Sequence, residues 1–223
     1  MRKLLSISLF IFIFSNLLAQ TPLCPVKPGA MLLYHQKDAK GVIKSQQRTT
    51  VKRVNGDVVK MTIDYEVENL DEKGKSGKPP AIFNNKIKTE NGVINVDIAQ
   101  MLATAKGMEK AKVDVLGEGF KLAPDIKVGE RAANTNVNIT LGLVKIKALI
   151  SDTKCTAIEN VTVGAGTFKA VRLEQTITAT TLGIKNIIRT VTWYAEGVGT
   201  VKAMNYDKNG ALLGTKELVE MRN

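Results

Sequence analysis

The stretch VTVGAGTFKAVRLEQ, Val161 to Gln175, places two glycines inside a run of β-branched residues and admits two readings, a phosphate cradle or a bend in a sheet. A phosphate loop needs G-x-x-x-x-G-K-[ST], or G-x-G-x-x-G between a parallel strand and a helix, so that backbone N–H groups and a helix N-terminus meet the anion. Gly164 and Gly166 supply only the first half of either pattern. TFKAVRLEQ follows, in which Phe168, Ala170 and Val171 to Leu173 suggest a strand. The glycines therefore read as a bend or tight hairpin. In WYAEGVGTVKAM, Gly197 and Gly199 likewise separate two β-like runs containing Trp193 and Val201, and serve a turn.

Outward from these turns the chain is mostly strand-like. In VVKMTIDYEVEN the residues Val59, Met61, Ile63, Tyr65 and Val67 alternate with Lys60, Thr62, Asp64, Glu66 and Glu68, a period of two that buries one face and wets the other. Asn-Gly pairs at Asn55-Gly56, Asn91-Gly92 and Asn209-Gly210 suit two-residue turns with positive φ and predict consecutive antiparallel hairpins. Further strands are expected over Met31 to Gln36, Val42 to Val54, Lys112 to Leu116, Val137 to Ile150, Phe168 to Thr180, Ile187 to Glu196, Thr200 to Tyr206 and Leu212 to Met221. One segment departs from this pattern. In NVDIAQMLATAKGMEKA the residues Ile98, Met101, Leu102, Ala105 and Met108 fall at helical spacing behind Asp97 as N-cap, which predicts one amphipathic helix packed on the sheet. Leu70 to Ala81, rich in Gly, Lys and Pro, and Leu122 to Asn136 read as loops, either of which suits a mobile lip.

The opening MRKLLSISLFIFIFSNLLAQ has a basic start at Arg2 and Lys3, an apolar run from Leu4 to Ala19 and a small, polar exit, the pattern of a secretory signal peptide over residues 1–20. A membrane span takes about 20 apolar residues, and this run is shorter. The exported part, residues 21–223, suits a single β-rich domain with possible sub-lobes 21–125 and 126–223. Of 32 basic residues 30 remain after the leader, against 21 acidic ones, so its partners are expected to be anionic. Aromatic residues are sparse and not interleaved with Lys and Arg, which argues against nucleic acid. Cys24 and Cys155 belong to no metal-ligand spacing; in an oxidising compartment they are expected to form a disulfide, with free thiols and a lipidated Cys24 as rivals. Bulky Leu23 before Cys24 disfavours lipidation.

The candidates for chemistry are few. His35 is the sole histidine, no G-x-S-x-G elbow accompanies it, and an edge or surface role is expected. Asp64, Glu66 and Glu68 share one strand face and could in principle seat calcium or serve glycoside hydrolysis, yet an ordinary solvated face explains them as well. Trp193 and Tyr194 point to opposite faces of one strand, so one belongs to the core while the other rims an opening.

Three segments in order, YHQKDAKGVIKSQQRTTV, ENVTVGAGTFKAVRLEQ and VTWYAEGVGTVKAMNYDKNGALLGTKELV, resemble a family of secreted β-rich proteins from Bacteroidetes, labelled TapB-like and close to a broader bacterial domain of unknown function. The resemblance spans nearly the whole exported chain. It implies an envelope protein on a strongly curved antiparallel sheet and carries over no catalytic residues. One departure is Gly164, where the family has proline before AGTF. By architecture alone, a leader, hairpins and one helix are also similar to the open half-barrel carriers of lipoproteins.

The expected fold is therefore mainly β, a strongly curved antiparallel sheet, an open or half barrel, with one amphipathic helix. The expected function is non-enzymatic binding of an apolar or lipid-like ligand in the periplasm or at the cell surface. Ile98, Met101, Leu102, Met108, Trp193 and Tyr194 would line the site, with no cofactor or metal. The alternative is a structural or protein-partner module docking an anionic envelope component through the basic loop Leu70 to Ala81, and a hydrolase using the Asp64, Glu66 and Glu68 face ranks third.

Overall fold

Period-two patterning becomes strand almost everywhere it occurs. The computed structural model describes residues 21–57, 59–95, 112–116 and 121–223, and all regular structure among them is β. The strands are β1 (Met31–Asp38), β2 (Ile43–Gly56), β3 (Lys60–Leu70), β4 (Ser76–Glu90), β5 (Val93–Asn95), β6 (Lys112–Leu116), β7 (Lys121–Leu122), β8 (Thr135–Leu141), β9 (Val144–Val163), β10 (Gly166–Thr181), β11 (Ile184–Ala195), β12 (Gly199–Tyr206) and β13 (Leu212–Arg222). They form one antiparallel sheet in the order β6-β8-β9-β10-β11-β12-β13-β1-β2-β3-β4-β5-β7.

That order has a geometric consequence. Strands β6 and β7 occupy opposite edges of a 13-stranded sheet, yet only residues 117–120 separate them in the chain. Laid flat, such a sheet is about 58 Å wide at the usual strand spacing. Leu116 and Lys121 are five residue steps apart, a reach of about 19 Å at most. The sheet must therefore roll until its edges approach, although β6 and β7 do not pair and the sheet stays open. The core agrees: Met61, Ile63 and Tyr65 of β3 share one buried cluster with Val171 and Leu173 of β10, six strands away in sheet order. Leu23, Cys24 and Ala30 of the N-terminal segment belong to the same cluster. The Tyr65 hydroxyl donates to the Pro25 carbonyl at 2.6 Å, and the Gly197 N–H to the Pro22 carbonyl at 2.9 Å, so this segment joins β3 to the β11–β12 turn across the roll.

This architecture corrects the expected pairing of a curved sheet with one amphipathic helix. The described fold is all-β, without a helix among the described residues, and the helix expected over Ile98 to Met108 lies outside them. The helix was required to cover an apolar sheet face. A sheet that rolls covers that face with its own distant strands and with residues 21–30. The predicted leader, residues 1–20, likewise lies outside the described residues.

The opening stretch folds as a hairpin. Val163 pairs with Gly166, which takes φ +132°, and β10 runs on antiparallel to β9. Gly164 answers a different need: a Cβ there would lie 3.0 Å from Val219 Cα, because the hairpin tip folds onto β13, where the Ala165 N–H donates to the Leu218 carbonyl at 3.2 Å. A second cluster containing Val163, Ala170, Ala195, Val201 and Leu218 fills this contact.

Other turns were only partly legible. Asn91-Gly92 forms the expected two-residue turn with φ of 50° and 78°. Asn55-Gly56 does not; β2 continues through Gly56, and the turn follows, with Asp57 Oδ1 accepting from the Val59 and Lys60 N–H groups. Asn209-Gly210 sits in a five-residue loop, and the same loop occurs at Asp38-Ala39-Lys40-Gly41-Val42 and Asp71-Glu72-Lys73-Gly74-Lys75. In all three the aspartate accepts backbone N–H groups two and four residues on, and glycine takes φ between 76° and 86°. The repeated D-x-x-G pattern signals them. The Asp38 carboxyl is held below its ordinary range, chiefly by the Lys44 ammonium and then by the Val42 N–H.

Three further expectations are corrected. The loop expected over Leu70 to Ala81 shrinks to residues 71–75, because β4 begins at Ser76 and its ladder with β3 jumps from Ser76 to Ala81. Pro79 and Pro80 lie in that jump, where no N–H is needed. The strand expected over Val137 to Ile150 is a hairpin, turning at Gly142-Leu143 between β8 and β9. The disulfide is absent: Cys24 and Cys155 are free and buried in one cluster. Each thiol has its own neighbour, Cys24 the Tyr65 side chain and Cys155 the Ala157 carbonyl at 3.8 Å. Burial pushes the Cys24 thiol up to about 11 and raises that of Cys155.

Two outcomes are expected. Gly164→Val lowers unfolding free energy by about 2 kcal/mol in urea titration, since the β9–β10 tip must lift from Val219; a change below about 0.5 kcal/mol would refute that contact. A thiol reagent at neutral pH finds both cysteines slow to react in native protein and both reactive in denaturant; no reactive thiol after unfolding would restore the bridge.

Candidate functional site

The register of β9, β10 and β11 builds an apolar row. Val171 pairs with Ile158 on one side and Tyr194 on the other, so the three side chains stand together on one sheet face. Ile158 remains 44% exposed, unusual for an isoleucine beside a core. Facing the row is Pro124–Lys127, from the segment after β7. That segment is held to β9 by Gly129 N–H to Cys155 O at 2.8 Å, Cys155 N–H to Glu130 O at 2.9 Å and Ala132 N–H to Thr153 O at 3.0 Å. The expected lip is thus pinned to the sheet. Between them lies a groove of about 560 Å³, within the range of small-molecule sites. Leu23 and Phe168 add apolar surface; two lysines, Lys127 and Lys169, and two acids, Asp125 and Glu196, share the lining. Burial raises the Tyr194 phenol, which therefore stays a neutral donor at physiological pH.

A second cluster lies on the same sheet face. Lys216 reaches across β1, its ammonium 4.4 Å from the Tyr34 ring centroid, and donates to Gln47 Oε1 at 2.6 Å. Gln47 in turn donates to Asn69 Oδ1 at 3.1 Å. Burial pushes Lys216 down to about 8 and raises Tyr34. This is a chain of hydrogen bonds over four strands, anchored by a half-buried cation.

The opposite face is charged and self-satisfied. Trp193 donates its indole N–H to Glu159 at 2.7 Å, while Arg172 and Lys202 stand 5.6 and 5.8 Å from the ring centroid. Glu217 pairs with Lys37 at 2.6 Å and Lys202 at 3.7 Å, and its carboxyl is lowered chiefly by the Lys37 hydrogen bond. Asp64, Glu66 and Glu68 each have a cation: Arg53 at 3.0 Å, Lys52 at 3.1 Å and Arg48 at 2.9 Å. No group of acidic, His or Cys side chains able to hold a metal occurs among the described residues. His35 sits on β1 between Glu217 and Gln46.

Of the residues expected at a ligand site, Tyr194 lines the groove and Trp193 lies on the other face. Ile98, Met101, Leu102 and Met108 lie outside the described residues. Sequence reasoning missed Ile158, Phe168, Lys127, Lys169 and Lys216. Ile158 in CTAIEN carries no periodic signal, and Lys216 on β13 looks like any strand lysine until the sheet rolls around it.

Comparison with known proteins gives the following. A family model described as DUF3108-like matches residues 27–218. A candidate exported protein with a YmcC-like fold from Bacteroides fragilis superposes with TM-score 0.72 at 15% identity, covering 92% of this chain and 100% of that one. A candidate lipoprotein from Parabacteroides distasonis superposes with TM-score 0.73 at 19% identity, covering 91% and 99%. Both descriptions place those proteins on the export route, in keeping with the leader read from the sequence. No curated protein matches the chain.

Lys216 generates a pH signature. Its folded value of about 8 lies below the ordinary 10.5, so the folded state binds the proton less well. Its destabilising effect is full below pH 8 and is relieved as pH rises from there toward the unfolded value. Lys216→Met is therefore expected to show a stability difference from wild type that changes between pH 7 and 9, with wild type gaining relative to the variant as pH rises. A constant difference in urea titrations over that range would refute the desolvation of Lys216.

Proposed function

We propose, from the premise that this chain belongs to the DUF3108-like family, that it is an exported envelope protein that binds an amphiphilic, lipid-like ligand without turning it over. The finer TapB-like assignment is part of the same proposal and rests on the three segments quoted above. One observation carries the binding reading: the Ile158–Val171–Tyr194 row beside a pinned wall, left open as a groove of about 560 Å³. Apolar area of this kind favours an acyl chain, at about 25 cal/mol per Å² removed from water. Lys127 and Lys169, which share the lining with Asp125 and Glu196, supply cations for an anionic head group, in line with the excess of 30 basic over 21 acidic residues outside the predicted leader. The groove-lining group of perturbed acidity is the neutral Tyr194 phenol, which binds and orients. A nucleophile with a base at its side is not part of this reading.

The test combines two measurements. Protein isolated from envelopes is expected to carry lipid in native mass spectrometry. It is also expected to bind 1-anilinonaphthalene-8-sulfonate in displaceable competition with a long-chain fatty acid. Ile158→Asp weakens fatty-acid binding at least tenfold, about 1.4 kcal/mol, while leaving the fold intact because the side chain is already half exposed. Absence of lipid together with absence of displaceable probe binding sinks the proposal, as does an unchanged affinity in Ile158→Asp.

A further inference from the structure

The hairpin tips joining β8 to β9 and β10 to β11 break two local rules at once. Leu143, Leu182 and Ile184 are 101%, 83% and 74% exposed, the highest values among the large apolar side chains of the described residues, and Val144 beside them is exposed as well. The register brings the two tips together: Ile146 pairs with Ile139 on one side and Thr181 on the other, and Thr181 pairs with Ile184. An apolar surface shared by neighbouring loops is thus given to solvent, where a soluble protein places Asn, Asp, Ser or Lys.

The second broken rule is conformational. Leu182 and Gly183 take φ of 49° and 81°, a two-residue turn with both central residues left-handed. The same turn at residues 91–92 uses Asn-Gly, with φ of 50° and 78°. Asparagine tolerates this backbone, whereas leucine there is strained by its Cβ. At residue 182 the chain therefore keeps a side chain that is unfavourable for the turn and for solvation, and it packs into neither core cluster of the described residues. Local rules broken without structural return mark function.

Charge and placement identify the occupant. Lys145 and Lys185 follow the two tips directly, with Lys147 and Arg189 behind them, and neither Arg131–Ser151 nor Gln175–Ala195 contains an acidic residue. The tips also project. β11 meets β12 only from Arg189 onward, which leaves its first five residues, about 17 Å of strand, beyond that ladder. Asp152, at φ +57° in the irregularity of β9, marks where the extension departs from the rest of the strand. Apolar loop tips ringed by cations on a projecting arm fit an interfacial membrane anchor, in which side chains enter the acyl boundary and lysines meet anionic head groups.

We propose that the Gly142–Leu143 and Leu182–Gly183 tips dock the protein on an anionic lipid bilayer, with Leu143, Val144, Leu182 and Ile184 inserted and Lys145 and Lys185 at the head groups. This surface is separate from the groove lined by Ile158 and Tyr194, so either assignment stands without the other. The chain starting at Thr21, free of the apolar leader, is mixed with vesicles of phosphatidylglycerol and phosphatidylethanolamine and, separately, of phosphatidylcholine, and binding is read by co-sedimentation. Binding to the anionic vesicles is expected, falling at least tenfold on neutral ones and weakening as salt rises. Leu143→Asp with Leu182→Asp abolishes it, and Lys145→Glu with Lys185→Glu reduces it at least tenfold, with unchanged circular dichroism. Leu182→Asn separates function from folding: it raises the melting temperature and lowers vesicle binding. No binding by the wild-type chain, equal binding to both vesicles, or undiminished binding by the Leu143→Asp and Leu182→Asp double variant each overturns the proposal. The last would leave a protein partner as the occupant of the tips.

Discussion

A short covalent tether governs this structure. Strands at the two extreme edges of a 13-stranded sheet are joined by four residues, so the sheet has to roll. Rolling turns a two-faced layer into an inside and an outside, and the burial pattern follows. Leu23, Cys24 and Ala30 enter the inside, and their segment ties β3 to the β11–β12 turn through Tyr65–Pro25 and Gly197–Pro22 hydrogen bonds. A folded-over sheet also brings the β9–β10 tip against β13, where Gly164 is needed for close approach and a side chain would push Val219 away.

The same constraint sorts the polar residues. On the outside, carboxylates and cations sit opposite one another across strands, as in the pairs of Asp64 with Arg53, Glu66 with Lys52 and Glu68 with Arg48. Exposed pairs of this kind contribute little stability each. On the inside, Lys216 has no carboxylate partner in its hydrogen-bond chain, leans on the Tyr34 ring and is relayed through Gln47 to Asn69. Its lowered affinity for a proton is the electrostatic expression of the roll. The groove along Ile158, Val171 and Tyr194 is the place where the closure by residues 124–127 leaves apolar surface uncovered.

Most strands were legible because a period of two survives in any sheet, whatever its shape. β3 alternates buried and half-buried residues along nearly its whole length, as VVKMTIDYEVEN announces. Turns were less legible. Asn91-Gly92 behaves as its dipeptide suggests, while Asn55-Gly56 lies within a strand end because Asp57 captures the following amides. In the three D-x-x-G loops the aspartate side chain sets the turn by accepting the N–H groups two and four residues on, a signal spread over five residues and not held in one dipeptide. The site was legible only at Tyr194. Its partners Ile158 and Val171 become neighbours through strand register, which residue types do not encode one at a time.

The sequence by itself determined that this is a β protein of hairpins with an export leader and a basic surface, since periodicity, turn residues and net charge are local or additive properties. The tertiary structure alone decided that there is one rolled sheet, that Cys24 and Cys155 stay apart as buried thiols, and that Leu143 and Leu182 stand side by side at a projecting end. These depend on which strands become neighbours and where the chain's short connections force the edges together. Such long-range constraints are satisfied by the whole chain at once, and no window of residues contains them.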